Sequence, residues 1–257
     1  MNIVFLHHST GRCIWEAGVP EWFEDYRTGR DMELEITEKT FPKRFPYGWN
    51  NYPFDYWNIW VRHAGPERYL KPAGNVKSRI KTALKRILPG DHPGEPTLEE
   101  LTKQYQIIIF KHCFPVSDIE ADSGSPDVSS SDRKIENYKA QYEELKKKLH
   151  EFPETKFIVW TGAALVKRAV TEEKAERARQ FFEWVRTEWD QPGDNIFLFD
   201  FHQLETEGGL YLKDEYAAGS EDSHPGPDFS KRAASLFCSR IVAVMEGRGD
   251  ESSVTGE

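Results

Sequence analysis

Four short apolar runs, each ended abruptly by polar residues, frame this chain. Residues 2–6 (Asn-Ile-Val-Phe-Leu), 105–110, 156–161 and 195–200 read as inner strands covered on both faces. Residues 33–37 (Glu-Leu-Glu-Ile-Thr) alternate polar and apolar, the pattern of a strand with one wet face at a sheet edge. Helical spacing fills the intervals. Residues 15–26 predict a helix broken near Pro20, and Thr97 with Glu100 reads as a capping box opening a short helix. Ser131 or Asp132 is placed to cap a long charged helix reaching His150, which ends before Pro153. Residues 172–189 carry Ala175, Ala178, Phe181, Phe182 and Val185 at helical spacing, and Pro192-Gly193 stops them. Residues 228–245 set Ala234, Phe237, Ile241 and Val244 on one face. Strands alternating with helices predict an α/β fold, a three-layer sandwich around a five-stranded, mainly parallel sheet. Residues 1–246 fit one domain, and the polar tail 247–257 reads as disordered.

Two stretches interrupt the alternation. Residues 41–65 hold Phe41, Phe45, Tyr47, Trp49, Tyr52, Phe54, Tyr56, Trp57 and Trp60 among Pro and Asn. This is too apolar for a linker and fits a loop packed on its own rings, a pocket wall, or both. Lys71, Lys77, Arg79, Lys81, Lys85 and Arg86 form a basic cluster, read first as a solvated helix face.

Composition narrows the function. A net charge of −9, from 34 basic and 43 acidic residues, argues against a general nucleic-acid or anionic-membrane surface. Cys13, Cys113 and Cys238 lack zinc or disulfide spacing and fit reduced thiols in a cytoplasmic protein. Nothing near Met1 reads as a signal peptide, and no window is apolar enough for a membrane span. No strand leads into a glycine-rich phosphate loop, so no cofactor is called for. A metal site built from His7, His8 and His112 with Asp200 or Asp222 is disfavoured, because neighbouring strand residues face opposite ways.

The candidate chemistry lies where strands end. Ser9 follows the first strand directly, at the sheet edge where open α/β folds bind ligands. If a helix begins just after it, near residues 13–15, free N–H groups face an exposed hydroxyl, as a nucleophile requires. The alternative is that Ser9 or Thr10 only caps that helix. Near the other end, His224-Pro225 follows Glu221, Asp222 and Ser223, so His224 is a candidate base with Glu221 or Asp222 holding its ring. Asp222 or Ser223 capping the last helix is the alternative.

The chain resembles the SGNH hydrolases, the GDSL-like lipase and esterase superfamily, over nearly its whole length. His8-Ser9-Thr10 stands where that family has Gly-Asp-Ser, and His224-Pro225 matches its terminal His-Pro. The resemblance implies a flavodoxin-like sandwich with Ser9 as nucleophile and His224 as base, without metal or cofactor. Lys111-His112-Cys113-Phe114 stands at the Gly-x-Asn-Asp block, so Cys113 replaces the asparagine that completes the oxyanion hole. The hole then rests on the Ser9 N–H, on a donor from Lys111 or His112, or on one from the aromatic loop, where Gly48, Asn50 and Asn51 are candidates, and the same residues are candidates for substrate binding. The implied substrate is an O-acyl or O-acetyl ester of a small molecule or carbohydrate. A non-catalytic binding protein on the same scaffold and an acyltransferase are the alternatives. The sequence does not set the oligomeric state.

Overall fold

The computed structural model describes residues 1–44, 48–70 and 94–257. Within them the strand pattern becomes β1 (Asn2–His7), β2 (Glu35–Thr40), β3 (Ile107–Lys111), β4 (Lys156–Trp160) and β5 (Ile196–Phe199). They form one sheet in the order β2-β1-β3-β4-β5, with every neighbouring pair parallel. Leu6 pairs with Phe110, Phe110 with Val159 and Val159 with Leu198, so the carboxyl ends of the inner strands share one edge. The order reverses between β1 and β3, the switch point at which open α/β sheets bind ligands. β2 lies at the sheet edge and is largely half-buried, as its alternating residues require.

Because side chains alternate along a strand, the sheet has two apolar faces. Val4, Leu6, Ile108, Phe110, Val159 and Leu198 pack with the aromatic segment and with α5 (Ile135–His150) and α6 (Glu172–Trp184). Ile3, Phe5, Ile109, Ile158, Trp160 and Phe199 pack under α1 (Ser9–Trp15), α2 (Val19–Arg27), α7 (Phe201–Thr206) and α8 (Pro227–Met245). The result is a three-layer α/β/α sandwich. α1 and α2 are separate helices because Gly18 and Pro20 restart the chain at the start of α2.

The aromatic segment is core. It forms α3 (Pro53–Tyr56), which runs into a π-helical turn at Trp57–Arg62. Trp60 is fully buried and donates its indole N–H to the Pro96 carbonyl at 3.1 Å. The capping box does not form at α4 (Leu98–Leu101): the Thr97 hydroxyl donates instead to Gly65 O at 2.7 Å, and the Glu100 carboxylate binds Arg68. Nor do Ser131 or Asp132 cap α5, which opens at Lys134; the Asp132 carbonyl already accepts from Lys134 N–H and Asn137 Nδ2. The basic cluster of residues 71–86 lies outside the described residues.

The polar tail is a correction to the sequence reading, because it folds back on the body. Arg240 of α8 is buried and needs acceptors; Gly249 O accepts from its Nη1 at 2.5 Å, as does Ser252 Oγ at 2.6 Å. Val254 O accepts from the Asp200 N–H at 2.8 Å. Composition showed the polarity of this tail but not the buried guanidinium that orders it.

Candidate active site

β1 ends at His7, and α1 begins at Ser9 itself rather than near residues 13–15. So abrupt a turn needs a small residue: a Cβ on Gly11 would lie 2.5 Å from both Cβ and Cγ of His7. The two histidines hold the turn from beneath. His7 is buried; its Nδ1 donates to His8 O at 2.8 Å, its Nε2 faces Glu38 Oε2 at 2.7 Å, and burial pulls its pKa down to about 4. His8 Nε2 donates to Pro42 O at 2.6 Å. Ser9 stays exposed at the head of α1, with its Oγ 3.9 Å from Cys113 Sγ. Its backbone N–H sits in the first turn, where no intrahelical acceptor exists.

The second component is a hairpin of β6 (Ala217–Gly219) and β7 (Asp222–Pro225) that packs along α1. Within β7 the period of two puts Asp222 and His224 on one side and Ser223 on the other. His224 Nδ1 donates to Asp222 Oδ1 at 2.6 Å, and the His224 backbone N–H donates to the same oxygen at 3.0 Å. Both bonds favour the carboxylate and hold Asp222 below its ordinary pKa. Ser223 Oγ accepts from the Val166 N–H at 3.0 Å and pins the hairpin to the body. The ring of Phe114 meets that of His224 edge-to-face at 5.1 Å between centroids. Glu221 does not reach the ring; it lies before the strand, 82% exposed, 3.9 Å from Arg168. Neither Asp222 nor Ser223 caps α8, whose N-cap is Gly226.

The loop after β3 links the two components, since Cys113 contacts Ser9 and Phe114 contacts His224. The remaining oxyanion candidates are engaged elsewhere. His112 is fully buried with its Nε2 2.7 Å from the Tyr142 hydroxyl, and burial pulls its pKa down to about 3. The Cys113 N–H donates to Asn51 O at 2.8 Å. The Asn50 and Asn51 N–H groups donate to Asp55 Oδ2 at 2.8 and 2.7 Å, and Asn51 Nδ2 donates to Phe41 O at 3.1 Å. Gly48 donates its N–H to Arg44 O. The Lys111 ammonium is buried, donating to Thr10 Oγ1 and, at 2.6 Å, to His112 O. Gly48, Asn51 and His112 therefore build loops, and the backbone N–H groups of Asn50 and Asn51 are committed to Asp55. Phe114 lies against His224 although a phenylalanine carries no chemical signal of its own, and the Thr10 hydroxyl accepts from Lys111.

Among the described residues no three His, Cys, Asp or Glu side chains group closely enough to hold a metal ion. No helix among them is long and apolar enough to cross a membrane.

No protein-family model matches the chain, and no curated protein does. Among solved structures, one described as a gut microbial diltiazem-metabolizing enzyme is similar over 96% of this chain, at 14% identity and a TM-score of 0.47. This chain spans 46% of that one.

Proposed function

We propose that this protein is a serine esterase of the SGNH hydrolase type, cleaving an O-acyl or O-acetyl ester of a small molecule or carbohydrate through an acyl-enzyme. The observation that carries the reading is a preformed Asp222–His224 pair on a hairpin packed along α1, the helix that Ser9 heads. In this reading Ser9 Oγ attacks the ester carbonyl while His224 Nε2 takes its proton. Asp222 fixes the tautomer with hydrogen on Nδ1, leaving Nε2 basic, and stabilises the imidazolium that forms. Collapse of the tetrahedral intermediate breaks the bond to the alcohol, which leaves with the proton from His224. Water, deprotonated by the same imidazole, then releases the acid and restores Ser9. In this reading the Ser9 N–H, in the first turn of α1, donates to the developing oxyanion, and Cys113 and Phe114 lie beside Ser9 and His224.

Hydrolysis of a p-nitrophenyl ester panel tests this directly. Ser9→Ala is expected to lose activity by at least about 10³-fold while remaining folded; wild-type rates in that variant would refute the mechanism.

A binding protein on the same scaffold is the second reading, favoured by the commitment of the Cys113, Asn50 and Asn51 N–H groups to other acceptors. An oxyanion hole short of one donor sacrifices about 3–4 kcal/mol of barrier lowering. A fluorophosphonate separates the two: covalent labelling of Ser9 supports the esterase, and an inert folded protein supports the binder.

A further inference from the structure

Lys111 closes β3 with its side chain wholly buried beside Trp160, whose ring centroid is 5.9 Å from Nζ. An ammonium taken out of water without a partner charge costs several kcal/mol. Among the described residues no carboxylate lies within ion-pair distance of it, and its acceptors are both neutral, Thr10 Oγ1 and the His112 carbonyl. Glu205 is near enough to act on it electrostatically, and burial shifts both groups toward neutrality, lowering the Lys111 pKa from its ordinary value and raising that of the Glu205 carboxyl. Strand β3 would pack at this position with a methionine or leucine, as its neighbours Ile107 and Ile109 do on the same face. A negative charge that develops nearby favours the protonated form of this amine, and the ammonium in turn stabilises that charge. The residue it grips, Thr10, is bonded directly to Ser9 in the first turn of α1.

We propose that Lys111 is a positioning residue: through the Thr10 hydroxyl it fixes the first turn of α1, and its charge beneath that turn supports the oxyanion formed at Ser9 in place of the asparagine this chain lacks. The proposal rests on the serine-esterase reading. The ammonium touches no substrate and transfers no proton. It acts through the Thr10 contact and the low dielectric around it, where charge interactions are stronger than in water.

The test compares Lys111→Met, Thr10→Val and Thr10→Ser with wild type in ester hydrolysis and in fluorophosphonate labelling of Ser9, with thermal melts to verify folding. Lys111→Met is expected to lower kcat and the labelling rate about 10²-fold, with KM within about twofold, because the charge matters in the transition state and not in the bound ester. Thr10→Val is expected to lose about tenfold in kcat, and Thr10→Ser, which keeps the acceptor, to recover most of that loss. A folded Lys111→Met with wild-type kcat, or one altered only in KM, overturns the proposal. Should Lys111→Met fail to fold, equal kcat in Thr10→Val and wild type overturns it instead. Wild type that resists labelling removes the esterase reading and this proposal together; equal labelling of wild type and Lys111→Met removes only the role of Lys111.

Discussion

Asp222 Oδ1 receives two hydrogen bonds from His224, one from ring Nδ1 at 2.6 Å and one from the backbone N–H at 3.0 Å. A single carboxylate oxygen therefore sets both the ring's tautomer and its direction. The partner is two residues away, because a strand returns to the same side every second position. Replacing Asp222 by Asn puts an amide against Nδ1 and favours the wrong tautomer. On the esterase reading, Asp222→Asn lowers kcat for p-nitrophenyl acetate by about 10²-fold or more, whereas Glu221→Gln stays within about twofold. Equal losses in the two variants would return the orienting role to Glu221.

The turn that presents Ser9 leaves no room at Gly11. Alanine ordinarily stabilises a helix relative to glycine by about 1 kcal/mol. Here the added methyl would stand 2.5 Å from His7 Cβ and Cγ, and His7 is pinned between the His8 carbonyl and Glu38. Gly11→Ala is therefore expected to destabilise the protein by about 1–3 kcal/mol, read by urea unfolding. A more stable variant would show that His7 moves aside freely.

The sheet was legible because buried parallel strands announce themselves: runs such as Ile107–Phe110 have no polar residue to place on a wet face. The pairing of His224 was half legible. Acidic residues before a histidine were visible, but choosing Asp222 over Glu221 required knowing that residues 222–225 form a strand. The fates of His112 and Asn51 were not legible at all. Their side chains suit chemistry, yet Tyr142 on α5 takes the hydrogen bond of His112, and the Phe41 carbonyl, at the head of the same aromatic segment, takes that of Asn51. The same holds for the tail, whose partner Arg240 lies on an apolar helix and looks exposed until that helix is packed.

The tail supplies a direct stability prediction. Gly249 O and Ser252 Oγ satisfy Arg240, and a Cβ on Gly249 would strike the Phe197 ring at 2.5 Å, so the segment is fitted to the body. Deleting residues 249–257 leaves a buried guanidinium short of acceptors. A loss of about 3 kcal/mol is expected, lowering Tm by roughly 6–12 °C. A truncated protein melting with the full chain would mean that water replaces the tail without penalty.

Buried histidines give the protein a predictable weakness in acid. His112 is held neutral with a pKa near 3, mainly because burial disfavours its charged form and secondarily because the Lys111 ammonium repels it. In the unfolded chain the same ring titrates near 6.5. Between those values the unfolded state binds the extra proton, so this group's contribution to folding stability falls as pH falls from about 6.5 toward 3. His7 and His202, both lowered to about 4 by burial, act with the same sign. Glu95, raised to about 7 by burial, acts oppositely: it keeps its proton when folded, and its contribution is lost as pH rises toward 7. His112→Gln removes one histidine from this balance while leaving Tyr142 a hydrogen-bond partner. Denaturant unfolding at pH 7, 6, 5 and 4 should show the variant losing stability less steeply than wild type below pH 6, by at most about 1.4 kcal/mol per pH unit. Parallel curves for the two proteins would mean that His112 takes up its proton without unfolding.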